Sequence, residues 1–277
     1  MSIRTVQVEI ERIGRWVTNF ARRHGGAVIA DDDGTHPATH ADDDGTHPAA
    51  QADDDGTHLG AHDGEAHADR DPHTLRLRGA DGEVAVLHRW PRSPGGDGAR
   101  PAPAPAPAPA PGDATTPENL DAIAAWCTPP THLGLILIRR GGYAVGRAEG
   151  PTLATHKTGT RYVQARTAAG GWSQQRFARR RGNQADALVG TVVDLAAAHL
   201  LPPPVGTAPH LPEAIVLGGD RALADQVLAG QVLRELASLP RRLFADLPEP
   251  RFAVLQTALQ RGRSIPVQII PAVRVDP

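Results

Sequence analysis

The chain has 277 residues, 22% charged and 40% hydrophobic, with a formal net charge of -2 and one cysteine. Lone Cys127 excludes an internal disulfide, the longest apolar run, near Leu135 to Ile138, is too short to span a bilayer, and the N-terminus lacks an apolar signal core, so a soluble cytoplasmic protein is expected. The near-neutrality is a cancellation: residues 31–72 hold thirteen acids and one arginine, which leaves +10 on the other 235 residues, a basic protein carrying an acidic insert.

In chain order, Val6 and Val8 predict a short strand, and Ile10, Ile13, Trp16, Val17 and Phe20 recur every three to four residues as one helical face that Gly25 and Gly26 end. Val28 and Ile29 begin another strand; Leu75, Leu77, Val84, Val86 and Leu87 predict a hairpin turning at Asp81-Gly82. Between them, DDDGTHP starts at positions 31 and 42 and DDDGTH at 53, within a stretch that holds seven of the thirteen histidines. The period fits neither a calcium-binding hand nor a calcium-binding β-roll, and a repeat with almost nothing apolar to bury reads as solvated and disordered. Residues 101–111 alternate Pro and Ala, an extended spacer that closes an N-terminal unit, 1–100.

The remainder, 113–277, reads as one mixed-sheet α/β unit. Asn119 to Trp126 is helical by pattern. Gly134 to Arg140 and Tyr143 to Arg147 form a hairpin around Gly141-Gly142, and Thr152 to Lys157 turns through Thr158-Gly159 into Arg161 to Arg166, giving an antiparallel meander in a ribonuclease H-like order. A helical face runs from Ala185 to Leu200, with Asn183 and Asp186 as candidate caps and Pro202 to Pro204 as its stop. Ala214 to Leu217 is a buried-type strand that turns through Gly218-Gly219-Asp220 into a helix from Arg221 to about Leu228; a further helix, strand and helix fill 231–260.

The chemistry concentrates in residues 156–181, which carry seven cations and no carboxylate. Lys157, Arg161 and Arg166 precede Gly170-Gly171; Arg176, Arg179, Arg180 and Arg181 follow Gln174 and Gln175. Such a cluster neutralises several phosphates at once, and Tyr162, Trp172 or Phe177 offers a ring for an exposed base. We read the segment as a mobile loop built to enter RNA. A glutamine amide is no acid, base or nucleophile near neutral pH, so a catalytic role there means positioning water or donating a hydrogen bond to developing charge. On the residues alone, a basic turn with no particular ligand stays open. The strands over 134–166 offer only Glu149 as a carboxylate, against the clustered acids of two-metal phosphodiester chemistry. Cys127 reads as a buried or loop thiol, Gly218-Gly219 as a structural βα turn, and His156 as a hydrogen-bonded strand histidine and not a general base.

The runs KTGTRYVQARTAAGGWSQQRFARRRGNQ, RRGGYAVG at 139–146, GGDRALADQVLA at 218–229 and RWVTNFARRHG at 15–25 resemble the actinobacterial-type Vms-like release factors, relatives of the eukaryotic class-one release factors and of peptidyl-tRNA hydrolases of ribosome quality control. The likeness is strongest over 134–229 and does not cover the acidic repeat or the Pro-Ala spacer. It implies a fold like the release-factor catalytic domain and hydrolysis of the ester joining a nascent peptide to tRNA, with the large ribosomal subunit and peptidyl-tRNA as partners and no cofactor or metal. Gly170, Gly171, Ser173 and Gln174 are the implied counterpart of the Gly-Gly-Gln loop, interrupted here by Trp172 and Ser173. Lys157, Arg161, Tyr162, Arg166, Trp172, Gln175, Arg176, Arg179, Arg180 and Arg181 are the implied RNA contacts. The same relatives suggest cleavage of the tRNA acceptor end as an alternative, and a non-catalytic ribosome-binding factor is a third reading.

Overall fold

The structure is a computed structural model that describes residues 2–30, 71–91, 106–160, 173–202 and 210–272, with the side chains of 173–181 left aside. The acidic repeat and most of the Pro-Ala run lie outside the described residues.

Two sheets form the body. The first has six strands in the order β1 (Arg4–Val8), β11 (Ile265–Ile270), β4 (Val84–His88), β3 (Thr74–Gly79), β2 (Ala27–Ile29) and β5 (Gly112–Asp113). The second has five, β10 (Arg241–Phe244), β9 (Ala214–Gly219), β6 (His132–Arg139), β7 (Gly142–Glu149) and β8 (Thr152–Thr160). The described helices are α1 (Ile13–Arg23), α2 (Pro117–Trp126), α3 (Ser173–Leu200), α4 (Arg221–Leu228), the short α5 (Arg234–Ala237) and α6 (Phe252–Arg263). Among the described residues no helix is long and apolar enough to cross a membrane.

The patterns of the two sheets differ for a physical reason. In β3 and β11 burial alternates residue by residue, because one face meets α1 and α2 through Ile13, Val17, Phe20, Ile123 and Trp126. In β6 and β9 nearly every residue is buried, since helices cover both faces: Ile136, Ile138, Ile215 and Leu217 meet α3 and α4, while Leu133, Leu135, Leu137 and Val216 meet α6. β6, β7 and β8 form an antiparallel meander, and β9 and β10 add to the other side of β6, both parallel to it.

Segment 113–277 therefore contributes to both sheets. α2 packs in the N-terminal core, and β11 lies between β1 and β4, pairing Val8 with Ile265 and Leu87 with Val267. Pro266 stands in this strand opposite Gln7 of β1, one residue before pairing with β4 begins at Val267. Across the joint, Trp90 leaves the first sheet to enter the core under α6 and donates from Nε1 to the Gly262 carbonyl at 2.8 Å. The Arg242 guanidinium lies 4.3 Å from the Trp90 ring and donates to the carbonyls of Ser264 at 2.7 Å and His88 at 3.4 Å. Burial pushes the Arg242 pKa down to about 10.

Three local expectations change. β8 continues through Thr158 and Gly159, which pair with Ala144 and Tyr143, so the meander does not turn there. α3 begins at Ser173, ten residues before Asn183; neither Asn183 nor Asp186 caps it. A helix start built on apolar periodicity misses three turns rich in Arg and Gln, and Gly182, which costs a helix about 1 kcal/mol relative to Ala, looks like a boundary. The end of the Pro-Ala run is not a free spacer either: Pro109 is buried, and Arg89 donates to the Ala106 carbonyl at 3.4 Å.

Candidate functional site

The basic segment leaves the second sheet at the end of β8, where Thr160 is paired with Gly142 and Gly159 with Tyr143. This exit is closely packed. A Cβ on Gly159 would fall within the Tyr143 side chain, and one on Gly142 would come within 2.9 Å of Glu249 Oε1 and 3.2 Å of the Gly159 carbonyl. Glycine at 159 is thus set by the tyrosine lying across it and not by a turn, which corrects the reading from sequence. Tyr143 in turn packs into the core beneath α3.

α3 receives the segment on its far side. Leu188, Val192, Ala196 and Leu200, four residues apart, are fully buried against the sheet, and Ala185 packs beside them. Near the helix C-terminus, His199 Nδ1 lies 3.3 Å from Thr155 Oγ1 of β8. From there back to Gln174 is about 38 Å of helix, whereas Thr155 to the end of β8 is about 17 Å of strand. The first turns of α3 thus lie far along the helix from this contact with β8. Ser173, Gln174, Gln175, Arg176, Arg179, Arg180 and Arg181 all belong to those turns. Positions 176, 179 and 180 share one helical face by spacing. The former loop is therefore shorter than the sequence suggested, with strand through Thr160 and helix from Ser173. Arg161, Tyr162, Arg166, Gly170, Gly171 and Trp172 lie outside the described residues.

Lys157 is exposed on β8, opposite Val145. Val145 belongs to the core under α3, so strand alternation puts Lys157 on the face of the sheet that α3 covers. His156 takes the other face, where its ring lies 4.7 Å from that of Phe252. The expected hydrogen-bonded strand histidine is instead an exposed ring in contact with a second, half-exposed ring. Sequence reasoning missed Phe252 because the first residue of an amphipathic helix reads as core; its exposure depends on how α6 meets β8.

The other singled-out groups are structural. Burial pushes the Cys127 thiol pKa up to about 12, so at neutral pH it is no nucleophile. Gly218 and Gly219 end β9: a Cβ on the former would enter the Leu137 side chain, and the latter has φ +94° with the Ile138 carbonyl against it. Asp220 caps α4, its Oδ1 accepting from the Leu223 N–H at 3.2 Å, which leaves the turn as a strand-to-helix connection.

The arrangement is that of a mixed α/β scaffold in which β8 and α3 bracket, along the chain, a cation-rich segment that contains Gly170, Gly171, Gln174 and Gln175. Residues 131–268 match the family model of the Actinobacteria/chloroflexi VLRF1 release factor, and through this segment the chain belongs to that family. The match begins at the edge of β6 and includes the whole second sheet, α3 to α6 and most of β11. A comparison with curated proteins gave no match.

Proposed function

We propose that the protein acts on the ribosome as a peptidyl-tRNA hydrolase, freeing a nascent peptide from tRNA during ribosome rescue. The observation that carries this reading is the match to a release-factor family over the segment that contains Gly170, Gly171 and Gln174. The position of Gln174 in the first turn of a long helix supports it, because an amide acting at a buried reaction centre needs delivery. The strand order, a three-stranded antiparallel meander extended by two parallel strands, is compatible with the ribonuclease H-like order expected from the sequence.

In this reading the large ribosomal subunit and the acceptor end of the tRNA surround residues 170–175. Gln174 holds a water against the ester carbonyl carbon. As the water oxygen bonds to that carbon, the bond to the tRNA 3′ oxygen breaks, and the water's proton passes to the leaving oxygen through the ribosomal surroundings. The amide contributes position and one hydrogen bond, not a proton. Gly170 and Gly171 let the backbone pass close to the acceptor end. Lys157, Arg161, Arg166, Arg176 and Arg179 to Arg181 neutralise phosphates, and Tyr162 and Trp172 stack on bases.

The test uses purified protein and isolated large subunits carrying peptidyl-tRNA. Wild type releases peptide, and Gln174→Ala lowers the rate about a hundredfold, on the order of 3 kcal/mol in the barrier, with subunit binding unchanged. Gln175→Ala is milder. Equal rates for Gln174→Ala and wild type would sink the mechanism, and released tRNA with a shortened 3′ end would identify an acceptor-end nuclease.

A further inference from the structure

We propose that the outer face of α1 is a docking surface for the chain's own acidic insert, residues 31–70; this is independent of the hydrolase reading. α1 buries Ile13, Val17, Phe20 and Ala21 in the core of the first sheet. At 3.6 residues per turn, Arg12 at its N-cap and Arg15, Asn19, Arg22 and Arg23 then fall on the opposite side, within an arc of about 100°. All four arginines are exposed, and α1 contains no acidic residue.

Of these cations only Arg12 has a carboxylate partner among the described residues, Glu9 at 2.9 Å. Arg22 donates to the neutral side-chain oxygen of Asn19 at 3.0 Å. The acids around α1 are engaged elsewhere or stand apart from it. Asp81 and Glu83 face the His24 ring at 2.8 and 3.5 Å, and Glu118 and Asp121 of α2 form no ion pair with α1 among the described residues. Arg22 and Arg23 complement the negative end of the helix, but Arg15 stands in the first turn, where no acid offsets the partial positive charge. The face therefore carries Arg15, Arg22 and Arg23 as a positive surplus that favours an anion from outside the helix.

The chain supplies one. Residues 31–70 hold twelve carboxylates and one arginine, Arg70. Both ends of the insert are held at the first sheet, on which α1 lies: the Ala30 N–H donates to the Arg76 carbonyl at 3.0 Å, and the Asp71 carbonyl accepts from the Thr74 N–H at 3.1 Å. Ala30 follows Arg23 by seven residues, whereas the basic segment leaves from the second sheet. Forty residues are long enough to reach every part of a helix about 16 Å in length. Tethering places these carboxylates at an effective concentration in about the millimolar range, so RNA at micromolar concentration competes poorly for the same arginines.

The test uses the full chain with Arg22→Lys and a zero-length carbodiimide, which condenses an amine with a carboxylate touching it to an amide, with loss of water. Lys157, otherwise the only lysine, is the internal comparison. Mass spectrometry maps the linked residues. In about 0.05 M salt the amine at position 22 couples to carboxylates of 31–70 about fivefold more than Lys157 does, and about 0.5 M salt, which shortens screening below the reach of an exposed pair, lowers that yield severalfold. Arg15→Lys repeats the pattern from the first turn of α1. Oligoadenylate at about 1 μM leaves the coupling unchanged. Coupling of position 22 mainly to Glu118 or Asp121, or a yield no higher than that of Lys157, would overturn the inference. So would a yield indifferent to salt, which nearness along the chain alone would produce. Loss of coupling on adding oligoadenylate would assign the face to RNA and overturn it as well.

Discussion

The second sheet is assembled largely from neighbours in sequence, whereas the first is closed by strands from opposite ends of the chain. β6, β7 and β8 follow one another through short turns, and β9 joins after α3. The first sheet instead sets β11 between β1 and β4, so Val8 finds Ile265 across almost the whole chain. The difference separates two tasks. The second sheet presents the basic segment, and the first, with α1 and α2, clasps its C-terminal continuation. The joint runs through Trp90, Arg242, Gly262 and Ser264, with Gln260–Glu9 and Arg263–Glu11 contacts beside them.

The sharpest way to break this comparison is to remove residues 265–277. β1 and β4 then lose their common partner and the N-terminal core loses Ile265 and Val267, so the first sheet unfolds while the second keeps its structure. Hydrogen exchange resolved along the chain reports this as lost protection in β1 to β4 and retained protection in β6, β7 and β9. Uniform protection, or uniform loss, would show that the two sheets do not differ in this way.

A smaller cut is Trp90→Ala, which leaves a void in the core under α6 and strips the Arg242 guanidinium of its ring. The cost is about 3–5 kcal/mol, a fall in melting temperature of roughly 10 °C for a chain of this size. Urea unfolding measures it, and a loss below about 1 kcal/mol would mean that the joint does not depend on the indole.

Replacing Arg179, Arg180 and Arg181 by alanine tests the other side of the comparison. Stability is retained, because the helical core begins only at Ala185, while the salt slope of ribosome binding falls by up to about three units, at most about one per phosphate contact. An unchanged slope would make these arginines ordinary solvated surface.

The mildest test concerns pH. Burial holds the pKa of His88, at the end of β4, below its ordinary 6.5, with Gln268 and Asp71 opposing the shift and Arg242 adding to it. The folded protein thus binds this proton less readily than the unfolded chain. The stabilising contribution is complete above pH 6.5 and is lost as pH falls from there towards the lower folded value. Urea midpoints for wild type and His88→Gln at pH 7.5 and 5.5 check the sign: wild type loses more stability than the variant. The opposite order would contradict the assignment to His88.

Much of the local architecture was legible because period and turn chemistry are local. The alternation of Leu75 and Leu77, the Asp81-Gly82 turn and the buried run of β9 each announce their element. The failures also have causes. Gly159 looks like a turn residue until Tyr143 is seen to occupy its missing side chain, and the first turns of α3 carry too little apolar periodicity to be read as helix. Of the candidate site, the cation cluster and its Gly-Gly-X-Ser-Gln core were visible in sequence. The face on which Lys157 stands and the pairing of His156 with Phe252 were not, since both depend on register between distant segments.

By itself the sequence determined the residue types that chemistry needs, the separation of an acidic repeat from a basic remainder, and the family over residues 131–268. These are properties of composition and order. Only the tertiary structure decided that Ile265–Ile270 completes the N-terminal sheet, that Trp90 and Arg242 join the two halves, and that Phe252 lies exposed beside His156. Strand pairing is non-local: its energy comes from matching two apolar faces and two rows of amides brought together from anywhere along the chain, and no window of neighbouring residues contains both partners.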